Sequence, residues 1–491
     1  MDVEIPSLVI VGAYREDEVP DSHPLALHIR ELEQMSIEFT AINVGNLSLS
    51  NVTSLVAEAL RMEDNEGAVK PLAETVHKKT DGNAFFVLLF LRSLYDGQLI
   101  QYNFGTMSWR WDDEAVKAQL ATENVATMLV NKLRRLNGAT QNVLKVASCL
   151  GSRISPSAMA VLTDNITPIE LRRLSSSVAD TSETDDDASV LDYSIHELET
   201  EGIWERDDAK DVWCFSHDKI QSAAFSLISP EKQDSFRGEL GNILQKNLDP
   251  EDLEDSLFEV VSLRNCSAIS DEGERRDLAK LNLRAGIKAS DNAAFDSAGV
   301  YFIAGYKSLG SSGWAVDSQT MLDLCSEGST ACFVSGDLDM MNVFIMEVLS
   351  RDEIPIQDKY RVYQAKFMAA AAAGKLNDAI DCGLEFRRLL GVPFKLRNKP
   401  ISIVTTLKEY IKTDHALKKM KTAEDIANLP ELTDERIMMS QRMLGLLIPP
   451  VYTAQPTLFA LLIFASVRSS LRFGIDANSC DAFGGYGVIL W

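Results

Sequence analysis

Arg15 follows a continuous apolar run, Ser7-Leu8-Val9-Ile10-Val11-Gly12-Ala13-Tyr14. The run is rich in β-branched residues and suits a strand buried on both faces, as in a parallel α/β sheet. An arginine at the C-terminal end of such a strand lies where α/β sheets hold ligand groups. Its guanidinium can read a terminal phosphate with two parallel hydrogen bonds. The same side chain can instead pair with Glu16, Asp17 or Glu18. His217 is a second candidate, in Phe215-Ser216-His217-Asp218-Lys219-Ile220. It opens an expected helix, where unpaired N–H groups favour an anion. A capping or packing pair with Asp218 is the alternative.

Phosphate chemistry needs more than these groups. No G-x-x-x-x-G-K-[ST] occurs, and the sole Gly-Lys pair, Gly374-Lys375, is followed by Leu376. Without that loop there are no N–H cradle, lysine and magnesium-binding hydroxyl acting together. An apolar strand ending in an acid for magnesium is missing too. The seven cysteines form no C-x-x-C pair, so neither zinc nor a disulfide framework is expected, which suits a reducing compartment.

The elements that must position these residues are mostly helical. Ile37 to Val44 is the one further strand candidate of the opening segment, which therefore reads as the last part of an α/β domain. Ser50 is expected to cap a helix to Leu60, and Pro71 to Tyr95 to be helical with a break near Asp81-Gly82-Asn83. Trp109 and Trp111 sit on a short hairpin strand. Thr140 to Leu150, a helix starting at Ser155-Pro156, a capping box at Thr167-Pro168-Ile169-Glu170 and a helix over Val190 to Glu201 follow. Ser175 to Ser189 reads as a mobile loop. Ile203 to Arg206 and Val212 to Phe215 then form a hairpin, giving a winged-helix order of elements. From Ser229 onward, paired helices meet at small-residue turns such as Gly336-Asp337 and Gly374-Lys375, 38 residues apart, as in a helical solenoid. Leu458 to Val467 is too short an apolar run to span a bilayer and reads as a buried core helix.

The formal net charge is −24. Such a chain repels polyphosphate and anionic lipid, which argues against nucleic-acid and membrane-surface roles. A winged-helix transcription factor is excluded on the same ground, since the hairpin tip carries Asp207, Asp208 and Asp211 against Lys210. The basic run from Lys395 to Lys421 is expected to be a solvated helix face.

Further motifs give these pieces a common frame. They are Lys79-Thr80-Asp81-Gly82-Asn83-Ala84-Phe85-Phe86, Trp109-Arg110-Trp111-Asp112, Phe215-Ser216-His217-Asp218 through Ala223-Ala224, Leu389-Leu390-Gly391-Val392, Leu429-Pro430-Glu431-Leu432-Thr433-Asp434 and Phe473-Gly474. In this order the chain resembles the AAA-like STAND ATPase and helical-repeat region of large signal-transduction kinases. Those proteins join a serine/threonine kinase-like domain, a predicted ATPase, helical repeats, a GAF domain and a histidine kinase. The resemblance implies a mainly α chain, truncated at both ends. It would hold a C-terminal remnant of an AAA/STAND core (1–60), a helical domain (61–139), a winged-helix-like domain (140–228) and TPR-like repeats (229–491).

By the same resemblance Arg15, Gly82, Asn83 and His217 descend from nucleotide sensors. Ala84 stands where the family has a proline packed near adenine. ATP and magnesium belong to the intact family, and none is expected to be held by this chain alone. No catalytic or metal-binding residue is assigned. The expected role is a cytoplasmic regulatory switch binding proteins, including kinase modules, through its repeats. A nucleotide-independent interaction scaffold is the alternative.

Overall fold

The computed structural model describes residues 40–120, 125–165, 187–207, 211–392, 402–420 and 422–490, with Val11–Tyr14, Leu25, Ile29 and Leu32. The chain is mainly helical and divides into two compact units, Met1–Lys132 and Leu133–Trp491.

In the first unit, α1 (Leu49–Ala59) and α2 (Glu66–Thr80) pack together, and α3 (Ala84–Asp96) packs on α2. Valines and leucines at three- and four-residue spacing face one another: Val52 and Val56, Val69, Leu72 and Val76, Phe90 and Leu94. A hairpin, β1 (Ile100–Asn103) and β2 (Ser108–Trp111), covers one flank. Its Trp109 and Trp111 pack on the core, and Trp111 Nε1 donates to Asp113 Oδ1 at 3.0 Å. This hairpin agrees with the alternation in the sequence.

Three expectations are corrected here. The cap of α1 is Ser48, whose hydroxyl accepts from Asn51 N, and not Ser50. Helix α2 begins at Glu66, so Pro71 lies inside it and not at its start. The described parts of the two expected strands, Val11–Tyr14 and Thr40–Val44, are not strands. A strand needs a hydrogen-bonded neighbour, and among the described residues none lies beside them, so Ile42 and Val44 are 80% and 90% exposed.

The second unit begins with α4 (Gly138–Leu150), β3 (Arg153–Ile154), α5 (Pro156–Asn165), α6 (Asp187–Thr200), β4 (Trp204–Asp207), β5 (Val212–Phe215) and α7 (Asp218–Phe225). The strands form one antiparallel sheet with β5 in the centre. Two residues were too few for the sequence pattern to reveal β3. Helix α6 is described from Asp187 and includes the expected Val190 to Thr200. The expected capping box at Thr167 and residues 175–186 of the expected loop lie outside the described residues. Trp204 is fully enclosed, stacked on Trp213 and edge-on to Phe215. Gln221 Nε2 donates to Ser148 O at 3.2 Å and ties α7 to α4.

Pro230 opens α8 (Pro230–Asn247), which packs on α5 and on α9 (Leu257–Arg264). Helix pairs follow: α10 (Glu272–Asp291) with α11 (Phe295–Leu309), α12 (Ser318–Ser335) with α13 (Leu338–Leu349), and α14 (Tyr360–Ala372) with α15 (Leu376–Leu389). Gly336 (φ 84°) and Gly374 (φ 71°) occupy the left-handed turns between partners, a conformation that costs glycine least. Inside the pairs, a Cβ on Gly286 would meet the Phe302 ring at 2.4 Å, and one on Gly328 the Phe344 ring at 2.6 Å. Both glycines and both rings are 42 residues apart, which sets a register that the turns alone did not. Helices α16 (Ile403–Leu417), α17 (Glu435–Ala454), α18 (Pro456–Phe473) and α19 (Ser479–Leu490) complete the unit. Helix α18 is, among the described residues, the one helix long and apolar enough to cross a membrane. Its Leu461, Leu462, Ile463, Phe464 and Val467 are buried within the unit, in keeping with a core helix.

Gly328→Ala should cost about 1–3 kcal/mol, because the methyl group displaces a packed ring; chemical denaturation measures it. A second outcome concerns Glu259 on α9. One carboxyl oxygen is buried with no hydrogen-bond partner among the described residues, and burial pushes the pKa up to about 7. The folded state therefore holds this proton more tightly than the unfolded chain. The stability so gained is full below the unfolded value of 4.5 and is lost as pH rises through about 7. Glu259→Gln should raise the melting temperature at about pH 8 and leave it nearly unchanged at about pH 4.

Candidate functional site

The expected site residues fall in different settings. Arg15 lies outside the described residues. Gly82 and Asn83 belong to the first unit, and His217 to the second.

Gly82 and Asn83 form the break between α2 and α3. Asp81 takes the left-handed conformation that ends α2, and Gly82 follows at φ 73°. Asn83 caps α3, its Oδ1 accepting from Phe86 N at 3.2 Å. Gly82 O accepts from Leu47 N at 2.7 Å. A Cβ on Gly82 would lie 2.1 Å from Leu47 O, so only glycine admits this approach. Ala84 is the first residue of α3, where a proline loses no hydrogen bond. The Lys-Thr-Asp-Gly-Asn stretch thus ends one helix, starts the next and anchors the chain before α1.

His217 is the N-cap residue of α7, with extended backbone. Its Nδ1 lies 3.1 Å from Lys219 N and 2.6 Å from Asp218 Oδ1. One nitrogen cannot accept from the amide and donate to the carboxylate at once. Asp218 Oδ1 is itself 2.8 Å from Lys219 N, so the amide keeps an acceptor when the ring donates to the carboxylate. The ring is partly exposed, beside a helix start whose first turn already carries Asp218. An arriving anion would have to compete with that carboxylate.

Two concave sites were not legible in the sequence. One, of about 450 Å³, lies between α8, the end of α9 and the start of α10, and is lined by Asn242, Arg264, Ser267, Asp271 and Glu274 among others. Burial lowers the Arg264 pKa, with Glu274 and Asp277 opposing, and Glu274 Oε2 stands 4.0 Å from its Nη2. The other, of about 580 Å³, is an apolar groove between α16, α18 and α19. Beneath it Arg468 Nη2 binds Glu409 Oε2 at 2.8 Å, and Arg468 Nη1 donates to Thr413 Oγ1 at 2.6 Å. Burial opposes ionisation of Glu409, but Lys412 and Arg468 outweigh it and hold its pKa below the usual range. Among the described residues no three His, Cys, Asp or Glu side chains gather as metal ligands would.

The core and capping roles of neighbouring residues separate by experiment. Phe215→Ala should cost roughly 3–5 kcal/mol, as for a buried aromatic. His217→Ala should cost about 1 kcal/mol, as for a helix cap. Denaturation of both variants checks the contrast, and equal losses would make His217 a core residue.

No protein-family model matches the chain. A 23% identical alignment covers 98% of it and joins it to Hybrid signal transduction histidine kinase G of Dictyostelium discoideum. The chain spans 15% of that protein's length. Among solved structures, a Signal Transduction ATPase with Numerous Domains (STAND) protein with a tetratricopeptide repeat sensor, from Pyrococcus horikoshii, aligns with 91% of this chain and 62% of its own, at 14% identity. The TM-score is 0.28, too loose a superposition to define a common fold. The chain is similar, over nearly its whole length, to part of a signal-transduction protein.

Proposed function

We propose that this chain is a regulatory segment of a STAND-type signalling protein, in which a helical array receives or passes on a signal. The observation that carries the reading is the alignment with a signal-transduction histidine kinase over 98% of the chain. The paired helices from α10 to α15 support a solenoid that binds proteins on extended surfaces. The sheet β3-β5-β4 with α4 to α7 supports the winged-helix reading of residues 140–228. In this proposal 1–60 descends from the ATPase core, 61–139 is a helical domain and 229–491 is the array. Arg15, Gly82, Asn83 and His217 keep the positions of nucleotide sensors, and the setting is cytoplasmic.

The residues present do not make an ATP–magnesium centre by themselves. The sequence has no glycine–lysine loop, and Gly82, Asn83 and His217 are engaged in helix termini. These residues alone support no hydrolytic step. Its part in a switch would be mechanical: a bistable packing whose balance a ligand shifts.

The isolated chain should show no ATP turnover, since the groups that stabilise a transferring phosphoryl group are missing. Turnover abolished by Arg15→Ala would overturn this. Thermal melting with ATP and magnesium separates switch from scaffold. A rise lost in His217→Ala supports nucleotide sensing, because a ligand that binds only the folded state raises its stability. An unchanged melting curve supports the interaction scaffold.

A further inference from the structure

The basic run near residue 400 is more than a solvated face. Its described part is α16, and the outer surface of that helix carries two adjacent stripes. Ile403, Val404, Leu407 and Ile411 are apolar and exposed, Ile403 by 87% and Val404 by 76%. At 3.6 residues per turn, Lys408 and Lys412 form the next stripe around the helix, and Lys419 lies in the turn that follows its end. Lys412 pairs with Glu409 at 2.7 Å, whereas Lys408 and Lys419 have no ion-pair partner among the described residues. On its other flank, Thr406, Leu407 and Tyr410 line the apolar groove with Pro456, Ala460 and Phe464 of α18. In cross-section the order is groove, apolar stripe, lysine stripe.

The inner face of α16 is fixed. Thr413 is fully buried and Glu409 nearly so, and Arg468 of α18 binds both. This half-buried pair resists rotation of the helix, because turning α16 would strand the largely buried Glu409 carboxylate. The exposed apolar stripe is therefore held outward and is not a core face awaiting a slight roll.

We propose that this surface docks an acidic amphipathic helix from a partner protein. Its apolar ridge would fill the groove and cover Leu407 and Ile411, and its carboxylates would meet Lys408 and Lys419. Charge complementarity selects this occupant: the lysine stripe stands out on a chain of net charge −24, so it attracts an acidic ligand locally while the rest repels non-specific ones. A groove walled by α16, α18 and α19 suits a helix better than a flat lipid surface, since helix-in-groove recognition takes its anchors at this spacing. An anionic bilayer would also meet the repulsion of the whole chain. The inference rests on reading 229–491 as a protein-binding array and is independent of nucleotide.

The test uses the whole 491-residue chain and a labelled helical peptide of about 18 residues, long enough for five turns, with leucines on one face and glutamates beside them. A matched peptide carries lysines for the glutamates. Anisotropy should show the acidic peptide binding, the basic one not, and binding that weakens with salt. Leu407→Asp and the pair Lys408→Glu with Lys419→Glu should each weaken it about tenfold, as for hot-spot losses. These side chains are exposed, and circular dichroism checks that the variants fold. Peptides bound equally whatever their charge, or binding indifferent to the α16 variants, overturns the inference while leaving the array reading intact. So do three other occupants: phosphatidylserine vesicles that bind wild type but not the variants, self-association lost in the variants, or cross-links placing residues 393–401 in the groove.

Discussion

Helix pairs in the second unit come close because glycine leaves room for a ring. Phe302 lies over Gly286 and Phe344 over Gly328, and each ring is fully buried. A methyl group at either glycine would push the partner helix away. Close approach lets the next helix seat against both members of the pair, as α12 does against α10 and α11. Two of the three helix pairs thus depend on a position where side-chain volume is zero. Dispersion and burial supply the energy, but the glycines set the distance at which they act.

Charge adds detail to that frame. Glu254 binds Arg284 at 2.6 Å and Lys288 at 3.2 Å, and Glu327 binds Arg361 at 2.8 Å. These pairs link successive parts of the array, yet they are partly exposed and contribute little each. The Arg468–Glu409 pair differs because Glu409 is enclosed. It orients α16, and through α16 the lysines and the apolar stripe. One half-buried ion pair decides what a helix shows outside.

The motif residues have structural duties of their own. Gly82 is required by its positive φ and by contact with Leu47, Asn83 by the free N–H of Phe86, and His217 by the start of α7. Each residue type is explained by backbone chemistry at a helix terminus. The same termini present N–H groups of the kind that bind anions. A resemblance carried by such residues does not by itself speak for nucleotide.

Most helices were legible because their apolar residues recur at helical spacing and their ends carry caps, glycines and prolines. The break at Asp81-Gly82-Asn83, the Trp109 hairpin and the pair β4–β5 were legible for the same local reasons. The strand β3 was not, since two residues hold no period. The start of α1 moved from Ser50 to Ser48 because both serines offer a cap within one turn, and α2 begins before Pro71 because a proline in the early turns need not be the first residue. Val11–Tyr14 and Thr40–Val44 have strand-like composition, but composition cannot supply the neighbour that a strand must bond. The sequence by itself determined helices, turns, charge and the lack of a phosphate loop, all of them set by short stretches of chain. Only the tertiary structure decided the glycine–ring register, the half-buried Arg468–Glu409 pair and the groove beside α16. Each of these needs residues tens of positions apart to meet, and that meeting depends on how whole helices pack.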